Sequence, residues 1–418
     1  MFRPLVFVVA VSALCPCAGL RADEAEDRAV ALVKKLGGLV VKTPGKSITF
    51  VSLYGTKVTD ADLKELAPLQ NLTSLSLSST SVTDAGLKEL AALKNLSKLG
   101  LNRTQVTDAG LKELAPLKNL TSLSLSSTPV SDAGLKHLAP LQKLTALSLS
   151  YTSVSGAGLK ELAALPKLTQ LELYRTSVSD EGLKELAALK ALTTLRLRSP
   201  NVTEPGLRAL AAIPTLTALD LGDVKLTAVG LKELAALKGL TTLGLRFTNV
   251  ADADLRELAP LQNLTALDLG YTRVTDEGLK ELAALPNLTA LDLSGTEMTD
   301  AGLKELAPLK GLSKLELVST QVSDVGLIGL AALPKLTALN LGLTRVTDAG
   351  LKNLAAFATL TTLDLYSTSV SDEGLKELAA LKDLTRLSLL ETKVTDAGVK
   401  ELQTALPKCL IMKSPARP

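Results

Sequence analysis

Nucleophilic and acid-base chemistry near neutral pH needs an imidazole or a thiol, and the chain has one histidine, His137, and three cysteines. His137 takes the Glu place of a Lys-Glu pair that recurs at Lys88-Glu89 and Lys112-Glu113, with no second histidine to share a metal ion or to act beside a nucleophile. Cys15 and Cys17 fall in an apolar leader, so Cys409 is the thiol left to the mature chain and no intrachain disulfide is expected. No GxxxxGK[ST] or GxGxxG loop occurs, and paired carboxylates lack a long loop that would close a pocket around them. On these residues an enzyme, a bound cofactor and a metal centre are all unexpected.

The chemistry that remains is recognition. All five tyrosines, Tyr54, Tyr151, Tyr174, Tyr271 and Tyr366, stand at two adjacent positions of a repeating pattern, and Phe247 joins them. Arg198 and Arg246 share the Tyr174 position with Gly222 between them, and Arg175 neighbours Tyr151. Aromatic and arginine side chains are the usual anchors of a protein-binding face. Two positions earlier, Glu172, Arg196 and Asp220 follow one another and can pair across strands, while Asp268, Asp292 and Glu316 follow with nothing basic between them at that position. At a strand spacing of about 4.8 Å each acidic pair repels by roughly 1 kcal/mol in water, which a basic partner or a divalent cation would relieve. The alternatives are carboxylates screened by solvent and, for the rings, side chains that only cover an exposed sheet. With Arg273 beyond Tyr271, the stretch from Tyr151 to Arg273 is the richest in such residues.

What positions these residues is a 24-residue period. The position of Thr80 can be followed from Thr56 to Thr392 in 15 copies, and it is Thr in all but Pro200 and Val224. Leu75 and Leu77 alternate with Ser74, Ser76 and Ser78, the two-residue period of a short strand with one apolar face. Leu87, Leu90 and Leu93 then follow helical spacing, with Thr83 as N-cap, Asp84 as a favourable charge for the helix dipole, and Val82 and Leu87 as a hydrophobic staple. One such unit has too few apolar side chains to fold alone, so its stability is collective.

LxxLxLxx followed by T-D-x-G-L-x-x-L, as in Leu72 to Leu93 and Thr107 to Leu114, resembles the leucine-rich repeat family along nearly the whole mature chain. The wording is similar to arrays in secreted proteins of planctomycete-type bacteria and to the repeats of eukaryotic F-box proteins. The resemblance implies an α/β solenoid, a curved horseshoe with parallel strands on the concave face and short helices on the convex one. That family frequently carries Asn at the turn after the strand; Thr stands there here, so a ladder of hydroxyls is expected in its place. Recognition on the concave strands is the expected function, with lateral self-association of an envelope or matrix protein, or an F-box-like substrate-recognition role, as alternatives.

Around the array, Arg3, the apolar run from Leu5 to Leu14 and small residues up to Ala22 resemble a secretory signal peptide, with cleavage between Ala18 and Ala22. The expected organisation is a leader over 1–22, a capping helix and first hairpin strand over 23–47, about 15 repeats over 48–403, and a C-terminal cap with a loose tail over 404–418. The helix is expected over Glu24 to Leu36, the hairpin to turn at Pro44-Gly45, and the apolar pattern at Leu406, Leu410 and Ile411 to slip by one residue. The chain is expected to be secreted or held in the periplasm or cell envelope, without a membrane span. The 46 Lys and Arg against 43 Asp and Glu leave no basic stripe for nucleic acid. The Asn-x-Thr triplets at Asn71, Asn119, Asn263 and Asn287 are explained by the repeat itself rather than by glycosylation. A protein or peptide is the expected partner, and the oligomeric state is open.

Overall fold

The computed structural model describes residues 17–43 and 47–414, with side chains from residue 24 onward. Residues 1–16 of the expected leader, and the Pro44-Gly45 turn, lie outside the described residues. The first helix, Cys17–Lys35, starts within the segment read as leader rather than at Glu24. It closes at Gly37, whose φ of 80° suits a residue without Cβ, and its Ala29, Val30 and Val33 are buried on the first coil.

Leu39–Lys42 pairs antiparallel with Ile48–Ser52, and from there each strand lies parallel to the next up to Leu410–Lys413, giving one sheet of 17 strands. The register advances by the sequence period: Leu75 faces Leu99, and Leu387 faces Ile411. Short helices return the chain on the opposite side, and the coil is an open solenoid curved with its sheet inside. Leu72, Leu75, Leu77, Val82, Leu87, Leu90 and Leu93 are each at most 1% exposed, and their equivalents fill one continuous core.

The strand proper is three residues long, Ser74–Ser76 in the second coil. The position of Ser79, expected to be outward-facing strand, is instead a left-handed turn, with φ near 60° at Ser79 and 57° at Tyr151. Gly55 and Gly295 occupy this place comfortably, and Ser199 alone escapes it, because Pro200 restricts the residue before it to extended backbone.

The hydroxyl ladder forms at a different position from the expected one. Thr80 donates to the carbonyl of Leu77 in its own coil at 2.6 Å, so it locks a turn and makes no ladder. The strand-to-strand ladder runs through the Thr73 position instead, where Ser97 donates to Thr73 O at 2.9 Å and Thr121 to Ser97 O at 3.1 Å. Pro200 and Val224 lack the hydroxyl and therefore the lock.

On the convex side Thr83 caps its helix by accepting from Ala85 N–H at 3.2 Å. Asp84 does more than complement the dipole of its own helix. It receives the amide and the hydroxyl of Thr107, one coil later, at 2.7 and 2.6 Å. The same two-bond rung recurs from Asp60–Thr83 to Asp372–Thr395. It is absent where Gly156 precedes Ser179 and where Ala228 precedes Ala251, and at Glu204 only the Thr227 hydroxyl is held. Three asparagines of the Asn-x-Thr triplets also join coils: Asn119 donates to Lys94 O, Asn263 to Lys238 O and Asn287 to Gln262 O, each at 2.8 Å.

At the C-terminal end the buried positions slip by one, to Leu406 and Cys409, and the last strand then recovers the register. Lys413, where a loose tail was expected to begin, belongs to that strand and pairs with Asp396 at 2.9 Å.

The rung at Asp276 receives Thr299 N–H at 2.8 Å and the Thr299 hydroxyl at 2.6 Å. Asp276→Ala leaves both donors without a protein partner and should cost about 1.5–3 kcal/mol, the usual range for hydrogen bonds to a charged group. Urea unfolding of the variant against the parent chain measures it, and a midpoint unchanged within error would mean the rungs carry no stability.

Candidate binding face

The inner sheet presents the positions of Ser74, Ser76 and Ser78, and the left-handed turn adds the Ser79 position as a rim. Over coils six to twelve the floor is made of small side chains, among them Ala218, Thr242, Gly244, Ala266 and Ala290. Larger residues stand around it and enclose a hollow of about 640 Å³ open to solvent.

One side of the hollow is built on Tyr174. Its ring meets Tyr151 edge-on with centroids 5.0 Å apart, and the guanidiniums of Arg198 and Arg175 lie 5.2 and 5.7 Å from its centre. Arg175 Nε donates to the Tyr174 hydroxyl at 3.3 Å. Tyr151, first, and then Arg175 lower the phenol of Tyr174, while Tyr174 raises that of Tyr151. Arg198 lies flat across Gly222, where a Cβ would come within 2.7 Å of its Nε.

The second cluster is built on Arg246. Phe247 and Tyr271 stack with centroids 4.8 Å apart, and the guanidinium lies 5.3 and 4.8 Å from their centres. The same Arg246 reaches Asp292 at 2.7 Å and Asp268 at 3.7 Å. Two rings and two carboxylates thus hold one cation before any ligand arrives.

This geometry corrects the electrostatic expectations. Asp268, Asp292 and Glu316 do face one another at one strand position, but Arg246 enters from the next position and Lys314 pairs with Glu316 at 3.1 Å. Their repulsion is thus opposed within the chain, and no group of three or more metal-ligating side chains occurs among the described residues. Arg196 pairs with Glu172 at 2.9 Å but leaves Asp220 to Arg198 at 3.3 Å, so the expected pairing of three residues splits into two pairs.

Of the candidate residues, Tyr174, Arg196, Arg198, Asp268, Asp292 and Glu316 line the hollow. Tyr151, Arg175, Arg246, Phe247 and Tyr271 touch it through the contacts above. Tyr54, Tyr366 and Arg273 line neither the hollow nor its clusters: Tyr54 stands exposed on the first coil, Tyr366 lies across Gly342, and Arg273 follows the turn outside the sheet. Sequence reading missed Lys314, and it named Glu172 and Asp220 only as pairing partners of Arg196, although both also line the hollow. The alternation Arg198, Gly222, Arg246, Gly270 was the legible sign that large side chains lie over the glycines of the next coil.

The family described as leucine rich repeat matches residues 69–91, 117–139, 141–163, 261–283, 284–307, 332–355 and 358–379. A leucine-rich repeat protein of Leptospira interrogans is 26% identical over 83% of this chain and 91% of its own, with a TM-score of 0.55. The ectodomain of the Arabidopsis receptor kinase HAESA, solved with an N-terminal extended IDA peptide hormone ligand, is 17% identical over 94% of this chain and 77% of its own, with a TM-score of 0.50. An internalin of Listeria monocytogenes is 23% identical over 88% and 94%, with a TM-score of 0.48. No curated protein matches the chain. The repeat, the seven matched segments and the coiled sheet agree on an array of leucine-rich repeats.

Asp268 offers a test of the site's electrostatics. Burial raises its carboxyl pKa, the Asp292 and Asp220 charges add to this, and the Gly270 amide and Arg246 oppose it. A carboxyl raised in the folded state binds its proton more tightly there. Its stabilising contribution is therefore present below the unfolded pKa and lost as pH rises through the folded one. Asp268→Asn removes that dependence, so its unfolding midpoint should improve relative to the parent as pH rises from about 3 to about 7. Urea midpoints across that range check this, and a difference that stays flat or falls would contradict it.

Proposed function

We propose that the chain is a secreted, non-catalytic recognition scaffold that binds a protein or peptide on its concave sheet. The observation that carries this reading is the pair of aromatic and guanidinium clusters beside a hollow floored by small residues. Tyr151, Phe247 and Tyr271 are 49%, 48% and 42% exposed, and each sits in a left-handed turn that Gly fills without strain at Gly55 and Gly295. Large side chains held in that backbone region and left half in water cost stability, and such costs concentrate at binding surfaces. The bracing of Arg198 and Arg246 adds preorganisation, which lowers the ordering cost of association.

Two further supports are indirect. His137 is alone on the outer face, which leaves general-base chemistry without its usual residue. The segment from Arg3 to Ala22 has the pattern of an export signal, and no helix among the described residues is long and apolar enough to cross a membrane.

A second reading, lateral packing of the outer face in an envelope or matrix, draws on Val325 and Ile328. They are 64% and 62% exposed, and Ile328-Gly329 replaces an outer Lys-Glu pair.

Replacing Tyr174, Arg198, Phe247 and Tyr271 together by Ala should abolish capture of partner from the cell-envelope fraction while thermal unfolding moves by no more than about 3 °C. Unaltered capture would reject the concave face. Self-association on size-exclusion chromatography that ignores these four changes and responds to Val325→Lys/Ile328→Lys would favour the outer face.

A further inference from the structure

The inner face is polar along its length. On the sheet and its turn rim, coils one to seven carry five cations, Lys98, Arg103, Arg175, Arg196 and Arg198, against the single acid Glu172. Coils eight to fifteen carry seven acids against three cations, Arg246, Lys314 and Arg386. Four of the acids there, Asp220, Asp268, Asp292 and Glu316, line the hollow. The sign changes between Arg198 and Asp220, at the unit interrupted by Pro200.

Internal pairing does not erase this. Arg196, Arg198, Arg246 and Lys314 are all matched by carboxylates of the face. Among the described residues Lys98, Arg103 and Arg175 have no acid at ion-pair distance on the first half, and Asp223 and Asp364 have no base on the second. At about 4.8 Å per strand the centres of the two lobes lie roughly 29 Å apart, between three and four screening lengths at physiological salt. The lobes neutralise each other only at their junction, where Arg198 meets Asp220 at 3.3 Å, and away from it each acts on whatever lies over it.

We propose that the concave sheet takes an extended polypeptide of bipolar charge, its acidic segment over Lys98 to Arg198 and its basic segment over Asp220 to Asp364. This rests on the concave-face reading above and names the partner's chemistry. A uniform polyanion such as nucleic acid gains on the first lobe and is repelled by the second. Lys225, Arg273, Arg345 and Lys393 stand outside the sheet past the turn, so the acidic floor is presented to a chain lying in the groove rather than to one passing along its edge. The first lobe spans four strand intervals and the second six, about 19 and 29 Å, which correspond to roughly six and nine residues of extended chain.

The probes are synthetic peptides measured by fluorescence anisotropy on the full chain: six Glu joined to nine Lys, the same residues in alternation, all Glu, and all Lys. The block peptide should bind at least about tenfold tighter than the alternating one, with the advantage lost at about 0.5 M salt. Lys98→Glu/Arg103→Glu should weaken the block peptide and strengthen the all-Lys peptide, and Asp223→Lys/Asp364→Lys should do the same with all-Glu. Lys98 and Arg103 are exposed, Asp223 and Asp364 are half-buried with Asp364 accepting the Tyr366 amide at 3.0 Å, and circular dichroism confirms folding of both variants. Equal binding of block and alternating peptides, or of either charge swap and the parent, overturns the proposal. If that occurs while the four-alanine change still abolishes capture, the concave face stands and its polarity falls; if that change leaves capture intact, the face itself falls.

Discussion

Everything in this fold depends on one coil finishing what its neighbour leaves open. The carboxylate at the Asp84 position takes the first free amide and the capping hydroxyl of the next helix, so a group that would otherwise compete with water is settled one period away. The rung also dictates residues that never touch it. Glycine recurs at the Gly86 position because a Cβ there would collide with the previous coil's Asp60. The two exceptions, Asp62 and Asp254, stand where that carboxylate is missing: before the first repeat there is none, and before Asp254 the place is Ala228. In both coils the acid at the glycine position bends back to its own helix start, at 2.9 Å from Thr59 N and from Ala251 N. At these two coils the missing carboxylate is replaced by a substitution in the next helix, whereas after Gly156 the next coil keeps Gly182.

Much of this architecture was readable from the amino acids because the columns repeat without insertion. Leu75 and Leu77 announce the strand, Leu87, Leu90 and Leu93 the helix, and the 24-residue step the parallel register. What stayed hidden is the direction in which polar side chains reach. Thr73 and Thr80 are the same residue type on either side of one strand, and only the backbone decides that one hydroxyl turns to a carbonyl of the neighbouring coil and the other to a carbonyl of its own. Reading each strand position separately also concealed Arg246, whose partner Asp292 lies two coils on at a different position. The left-handed turn had a sign in Gly55 and Gly295, but Tyr151 and Phe247 at the same place spoke against it.

The two surfaces divide the work. Convex rungs and the Thr73 ladder hold the coil, and the inner positions are free to vary. Their variation is not random: rings lie with guanidiniums, guanidiniums with carboxylates, and large side chains alternate with glycine. The back is least tied where the front is richest. The Gly156–Ser179 and Ala228–Ala251 rungs are absent, Glu204 holds one bond of two, and Pro200 and Val224 lose the turn lock, all in or beside the coils that carry Tyr174 and Arg246. Fewer bonds there lower the free energy of local opening in the part of the arc that bears the hollow.

Amide hydrogen exchange at the capping residues tests the dependence of each coil on its predecessor most directly. Residue-resolved rates for the free chain should show slow exchange at Thr107, Ser131, Thr275, Thr299 and Thr347, whose amides donate to the preceding Asp at 2.7 to 2.8 Å. Ser179 and Thr227, which follow Gly156 and Glu204, should exchange markedly faster. Uniform rates along this row would contradict the claim that the carboxylate rungs join the coils.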